Sequence, residues 1–152
     1  MMRRVLPGLF LVMTLMASSH ADEEFLDPED AFRFSARLVA TGMLEVRYLI
    51  AKGYYMYRDR YGFDVEPASI TLGLPQFPDG HWHEDDFFGR SEIFRDEVII
   101  RVPIVSPPKA RQTIRLVAVS QGCADAGICY LPTTQTRDFE LFGDLDNPGN
   151  SQ

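Results

Sequence analysis

Cysteine is scarce in this 152-residue chain, which has two, Cys123 and Cys129. A structural zinc site needs four ligands, usually from two knuckles, and a thioredoxin-type site needs Cys-x-x-Cys at the head of a helix. Two cysteines with five residues between them offer neither. No apolar run approaches the roughly 20 residues of a membrane-spanning helix. Lys and Arg number 15 against 22 Asp and Glu, and without a surplus of cations to neutralise phosphates, nucleic acid is not an expected partner. There is no internal repeat and no low-complexity segment.

What is there begins with a basic, then apolar leader. Arg3 and Arg4 precede the run Val5 to Ala17, and Ser19-His20-Ala21 forms a small-x-small cleavage signature, so residues 1–21 read as a signal peptide. No cysteine follows the apolar run to carry a lipid. Removing the leader leaves 131 residues with 13 basic and 22 acidic side chains, a net charge of −9. That length suits one domain with its own core, and the charge reads as a solubility feature. We place the domain at residues 22–143 and a polar, frayed tail at 144–152.

The pattern of the domain is that of strands. Asp27-Pro28-Glu29-Asp30 predicts one helical turn, with a capping residue before proline at the first helical position. From Phe32 the side chains alternate, with Phe32, Phe34 and Ala36 against Arg33, Ser35 and Arg37. After a turn at Thr41-Gly42, Leu44, Val46, Tyr48 and Ile50 face inward, and Glu45 and Arg47 outward. Shorter strands are expected at Phe63 to Val65 and Ile70 to Leu72, and longer ones at Val98 to Ile104, Thr113 to Val119 and Thr134 to Leu141. The run Thr113 to Val119 leads straight towards Gln121-Gly122-Cys123, which predicts that the first cysteine ends a strand.

Three stretches carry chemistry. In Tyr54-Tyr55-Met56-Tyr57 the four large side chains are not all expected in the core; Tyr55 and Tyr57 share one face of an extended segment and can present two phenols together, or simply cover an edge. Residues His81 to Glu92 show neither a strand nor a helix period and read as a loop, with Phe87-Phe88 before Gly89 at its tip, where apolar rings are costly unless they cover something. His81 and His83, with Glu84, Asp85 and Asp86, do not complete a ligand set, so no metal is expected. The third stretch is the cysteine pair. Ala124, Ala126 and Gly127 between the cysteines let the segment curl, and a bond closing seven residues contributes about 2.4 kcal/mol, against about 4.7 for a hundred. It is a weak staple, and spacing leaves a redox-active pair and a structural disulfide both open.

Gly53-Tyr54-Tyr55-Met56-Tyr57-Arg58, Trp82 through Asp96, and Gln121-Gly122-Cys123-Ala124-Asp125-Ala126-Gly127-x-Cys129-Tyr130 occur together and in this order. This combination resembles the family of N-terminal periplasmic domains of the bacterial thiol:disulfide interchange protein DsbD, over about Phe25 to Leu141. The resemblance implies an all-β, immunoglobulin-like β-sandwich whose cysteine pair takes electrons from a membrane-linked thioredoxin-like donor. It passes them to periplasmic thioredoxin-like proteins, the disulfide isomerases and those of cytochrome c maturation. The resemblance implies that Cys129 makes the mixed disulfide and Cys123 completes the exchange. It also implies that Asp85, Asp86, Phe87, Phe88 and Gly89 form a cap with Phe87 resting on the sulfurs, and that Tyr55 and Tyr57 line the site. No cofactor beyond the cysteines and no oligomer is implied.

Four positions depart from the familiar pattern: Phe88 stands for a tyrosine, Asp86 for a glutamate, Ile128 for a phenylalanine and Leu131 for a proline. They bear on partner preference more than on chemistry. Members of the family continue into a membrane domain and a thioredoxin-like domain, and for this chain a separate electron donor is expected. Asp125 and, under a closed cap, Asp85 and Asp86 would raise a thiol pKa, predicting a sluggish thiol until a partner displaces the cap. Two other classes are weighed beside this one: an immunoglobulin-like binding or chaperone module with a structural disulfide, and a metal carrier using His81, His83 and the cysteines.

Overall fold

Alternating apolar and charged side chains build the first hairpin. The computed structural model describes residues 25–40, 42–106 and 108–142; the expected signal peptide and tail lie outside the described residues. A helical turn, α1 (Pro28–Ala31), precedes β1 (Phe32–Ala40). The Asp27 carbonyl, not its side chain, accepts the N–H groups of Asp30 and Ala31, at 2.9 Å each. Strand β2 (Met43–Ile50) returns antiparallel with Phe34 opposite Tyr48 and Ala36 opposite Val46. The apolar sets of both strands therefore share a face, and Leu44, Val46, Tyr48 and Ile50 are buried. Glu45 belongs to the opposite face as expected, yet it is nearly buried, because Arg37 lies beside it and pairs with its carboxylate at 2.6 Å.

The chain continues through β3 (Tyr54–Tyr57), a 3-10 turn (Arg58–Arg60), β4 (Gly62–Glu66), β5 (Thr71–Leu72), β6 (His81–Asp85) and β7 (Gly89–Phe94). Then follow β8 (Glu97–Ser106), β9 (Gln112–Ser120), β10 (Gly122–Ala124), β11 (Ile128–Cys129) and β12 (Thr133–Leu141). Hydrogen bonding orders them as β1-β2-β8-β5, β12-β9-β4 and β11-β10-β3-β7-β6. The first sheet contributes Val46, Tyr48, Ile100 and Val102 to one core, which Ile114 and Leu116 of β9 and Met56 of β3 complete from the other layer. Each such side chain contributes about 1.5–3 kcal/mol on burial. The result is an immunoglobulin-like β-sandwich.

Three local expectations are corrected. All four residues of Tyr54–Tyr57 are buried. Strand β3 lies between β10 and β7, so Tyr54 and Met56 face the main core while Tyr55 and Tyr57 join a second apolar cluster with Ile93 and Cys123. Residues 81–92, expected as a loop, belong to the hairpin β6–β7, in which Trp82 is opposite Glu92 and Glu84 opposite Arg90. Both of its faces carry polar and aromatic residues, which erases the apolar contrast that a period search needs. Finally, β9 stops at Ser120 and the chain changes sheets at Gln121. Cys123 is the central residue of β10, a strand that pairs with β3.

Candidate functional site

The two cysteines face each other across a hairpin of minimal length. Cys123 pairs with Cys129 and Ala124 with Ile128, leaving Asp125, Ala126 and Gly127 as a three-residue loop. Gly127 takes φ 89°, the left-handed conformation that such a loop requires and that glycine adopts without strain. The Cα atoms of the cysteines lie 4.0 Å apart and their sulfurs are bonded. Cys123 is fully buried, whereas Cys129 is partly exposed. Gly122 lets β10 approach so closely: a Cβ there would lie 2.5 Å from both the Phe32 ring and the Tyr55 carbonyl.

The pairing of β10 with β3 sets Cys123 directly opposite Tyr55, and the pairing of β3 with β7 sets Tyr57 opposite Ile93. Tyr57 thus reaches the sulfurs, its oxygen 3.2 Å from Cys123 Sγ and 3.9 Å from Cys129 Sγ. Its proton goes elsewhere. Tyr57 donates to Asp85 Oδ2 at 2.6 Å, and Tyr55 donates to the same oxygen at 3.2 Å. Asp85 Oδ1 accepts the backbone N–H groups of Phe87 and Phe88, at 2.9 Å each. One carboxylate therefore ties the turn of the β6–β7 hairpin to both tyrosines.

Electrostatics follow from these bonds. Burial alone would raise the Asp85 carboxyl, but the hydrogen bonds from Tyr57, from the Phe88 and Phe87 amides and from Tyr55 outweigh it and hold the group below its usual range. Tyr57 is pushed up by burial, and further by bonding to Asp85, which its anion would repel. Tyr55 is also raised, chiefly by burial. Both phenols are thus protonated donors throughout the physiological range, and Asp85 is a charged acceptor.

Most of the sequence-predicted residues come together here. Cys123, Cys129, Tyr55, Tyr57 and Asp85 form one constellation, and Gly89, with φ 65°, closes the turn opposite Asp85. Asp86 is exposed. The two phenylalanines differ from the expectation: Phe88 packs into the cluster of Tyr55, Tyr57, Ile93 and the cysteines, its ring 4.7 Å from that of Tyr57, whereas Phe87 is 51% exposed. Phe87 lines a shallow groove with Asp85, Asp86, Ala124, Asp125 and Gly127. The hairpin register decides this, because consecutive side chains of the turn cannot both point at the sulfurs.

Further side chains pack around this constellation. Arg60 stacks over the Phe88 ring at 4.0 Å, on the 3-10 turn that follows Tyr57. Arg95, just after β7, forks onto Asp125 with bonds of 2.9 and 3.1 Å and lies over the Tyr55 ring at 5.1 Å. Asp125 is therefore not the free negative charge that its place between the cysteines suggested. His83 packs its ring 4.6 Å from Tyr55, and its Nε2 lies 3.6 Å from Asp85. No group of three or more metal-ligating side chains occurs among the described residues.

The fold and site define an immunoglobulin-like β-sandwich with a cysteine pair that closes seven residues, one sulfur buried and the other partly open beside a hairpin turn. The family model of the thiol:disulfide interchange protein DsbD, N-terminal, matches residues 22–141, and the chain belongs to that family. It is 40% identical over 127 residues to the thiol:disulfide interchange protein DsbD 1 of Pseudomonas aeruginosa, which covers 84% of this chain and 21% of the relative. With the DsbD of Ralstonia nicotianae it shares 41% over 135 residues, 86% of this chain and 22% of the relative. The chain thus spans about a fifth of the length of these relatives. Among solved structures, the Neisseria meningitidis DsbD N-terminal domain in the reduced form matches with a TM-score of 0.70 at 36% identity, covering 78% of this chain and 91% of that one. The same domain in complex with the PilB N-terminal domain matches at 0.63, covering 80% and 90%.

Proposed function

We propose that this domain is a periplasmic electron relay, exported by its leader, which receives reducing equivalents from a membrane-linked thioredoxin-like donor. It hands them to thioredoxin-like proteins, among them disulfide isomerases and those of cytochrome c maturation. The observation that carries the reading is the asymmetry of the pair: Cys129 is partly exposed beside the turn and Cys123 is fully buried against Tyr57. A staple needs no such asymmetry. The solved complex of a related domain with the PilB N-terminal domain supports a role in protein–protein transfer.

Exchange then runs in two steps. The Cys129 thiolate of the reduced domain attacks a partner disulfide, one partner sulfur leaves, and a mixed disulfide forms. Cys123 loses its proton and attacks Cys129 Sγ, which closes the domain disulfide and releases the partner as a dithiol. Two electrons and two protons have moved, and no cofactor takes part. The Cys123 S–H faces the Tyr57 oxygen, and because that phenol already holds a proton, the Cys123 proton leaves only as Tyr57 passes its own to Asp85. Residues 85–89 are the cap, moved aside when a partner docks, and the domain acts as a monomer.

The test is a glutathione titration of the oxidised domain, and separately the mixing of the reduced domain with oxidised thioredoxin-fold proteins. A potential above about −300 mV and transfer of one disulfide per domain are expected; a potential below about −300 mV identifies a structural bond and an immunoglobulin-like binding module.

A further inference from the structure

Arg95 and Asp125 are 30 residues apart in sequence and form a two-point ion pair beside the cysteines. Nη2 lies 2.9 Å from Oδ1 and Nη1 3.1 Å from Oδ2, and Nη1 also reaches the Tyr54 carbonyl at 3.4 Å. The guanidinium lies over Tyr55, the residue directly opposite Cys123. Asp125 is the first residue of the loop between the cysteines, and its own N–H is bonded to the Gly53 carbonyl at 2.8 Å. The pair therefore spans from the body of the second cluster to the one segment that joins the two sulfurs. Nothing in the proposed exchange chemistry uses it.

We propose that Arg95 is a positioning residue for the redox pair, acting through Asp125 to hold the cysteine loop in place when the disulfide is open. This rests on the reading of Cys123 and Cys129 as redox-active. In the oxidised domain the covalent bond itself keeps Cys129 opposite Cys123, and the ion pair is redundant for that purpose. In the dithiol form the bond is gone. The loop is then held by short ladders, by Asp125 N–H to Gly53 and by the Arg95 fork. A held loop keeps the thiols at high effective concentration, which favours the disulfide; a released loop gains conformational freedom, which favours the dithiol. Planar two-point bonding matters here, because an ammonium on a flexible stem supplies the charge without fixing the carboxylate.

The experiment equilibrates the folded domain with glutathione. Domain disulfide plus two glutathione thiols gives two cysteine thiols plus glutathione disulfide, so atoms and electrons balance. For Arg95→Gln the equilibrium constant towards the dithiol is expected to rise three- to tenfold, which is about 14 to 30 mV towards easier reduction. Arg95→Lys should follow Arg95→Gln. Asp125→Asn should give the same shift, and Arg95→Gln with Asp125→Asn should add nothing to either single change.

An equilibrium constant within 1.5-fold of the parent in Arg95→Gln overturns the proposal, as does a parent-like Arg95→Lys or a double variant whose effect is the product of the singles. If Arg95→Gln does not fold, Asp125→Asn decides, since it alters only an exposed turn residue and leaves the arginine in place. The readout uses the cysteine pair and a small thiol alone. Failure of the electron-relay reading would appear instead as a parent potential below about −300 mV.

Discussion

The phenol oxygen of Tyr57 lies 3.2 Å from the sulfur of Cys123. Tyr57 donates its only proton to Asp85, so towards the sulfur it presents lone pairs. An S–H at Cys123 can donate into that oxygen when the disulfide is reduced, whereas the oxidised sulfur has nothing to donate. The contact is thus favourable in the dithiol and merely close in the disulfide. It links the state of the cysteines to the carboxylate that ties down the cap.

Asp85→Asn should destabilise the domain by about 1–3 kcal/mol at pH 7, because hydrogen bonds to a charged acceptor are lost. Asp85 titrates below its ordinary range in the folded state. Its contribution is therefore complete above its unfolded pKa of about 3.9 and disappears as pH falls through the lower, folded value. Urea midpoints at pH 7 and at pH 3 should show the gap between parent and variant narrowing in acid. A gap independent of pH would mean that the charge of the carboxylate is not what holds the turn.

Phe88→Ala should speed reduction of the disulfide by dithiothreitol about three- to tenfold, roughly 0.7–1.4 kcal/mol of barrier, because the ring that packs on Tyr57 is gone. Phe87→Ala should do less, since that ring is half exposed. Stopped-flow reduction of the two variants side by side makes the comparison. A larger effect from Phe87→Ala would return the shielding role to the residue that the family resemblance implies.

Cys123→Ala should accumulate a mixed disulfide with a thioredoxin-fold partner through the more accessible Cys129, because the resolving sulfur is missing. Cys129→Ala leaves only a sulfur that is fully buried and should trap little. Non-reducing gels of both variants after mixing with an oxidised partner give the answer. Equal yields would reverse or erase the division of roles.

Replacing both cysteines with alanine should leave a folded sandwich. The seven-residue closure contributes about 2.4 kcal/mol, equivalent to roughly 5–10 °C in unfolding temperature for a domain of this size. The main core of β2, β8 and β9 does not include the pair. Calorimetry on the double variant measures the shift. A chain unfolded at room temperature would make the bond a structural requirement.

The strands of the sandwich were legible because one face of each is wet and the other dry. Phe32 to Ile50 alternates in sequence and forms the hairpin β1–β2, and the runs at 98–104, 113–119 and 134–141 became β8, β9 and β12. The cysteines, Tyr55, Tyr57 and Asp85 also stand out in the sequence, the cysteines by their scarcity and close spacing and the others through the motif blocks. Sequence alone thus determined a β-rich domain with a weakly stapled pair and aromatic neighbours.

Tertiary structure decided which of those neighbours reach the cysteines and how. The strand period failed at β6–β7 because both faces of that hairpin are polar and aromatic. It misjudged Tyr54–Tyr57 because β3 has a packed layer on each side. Phe87 and Phe88 are adjacent and chemically identical, and only the register that sets Asp85 opposite Gly89 gives Phe88 to the cysteine cluster. Arg95 meets Asp125 across 30 residues and Arg60 meets Phe88 across 28. Such pairings leave no local pattern, since they depend on where three separate β ladders bring the chain together in space.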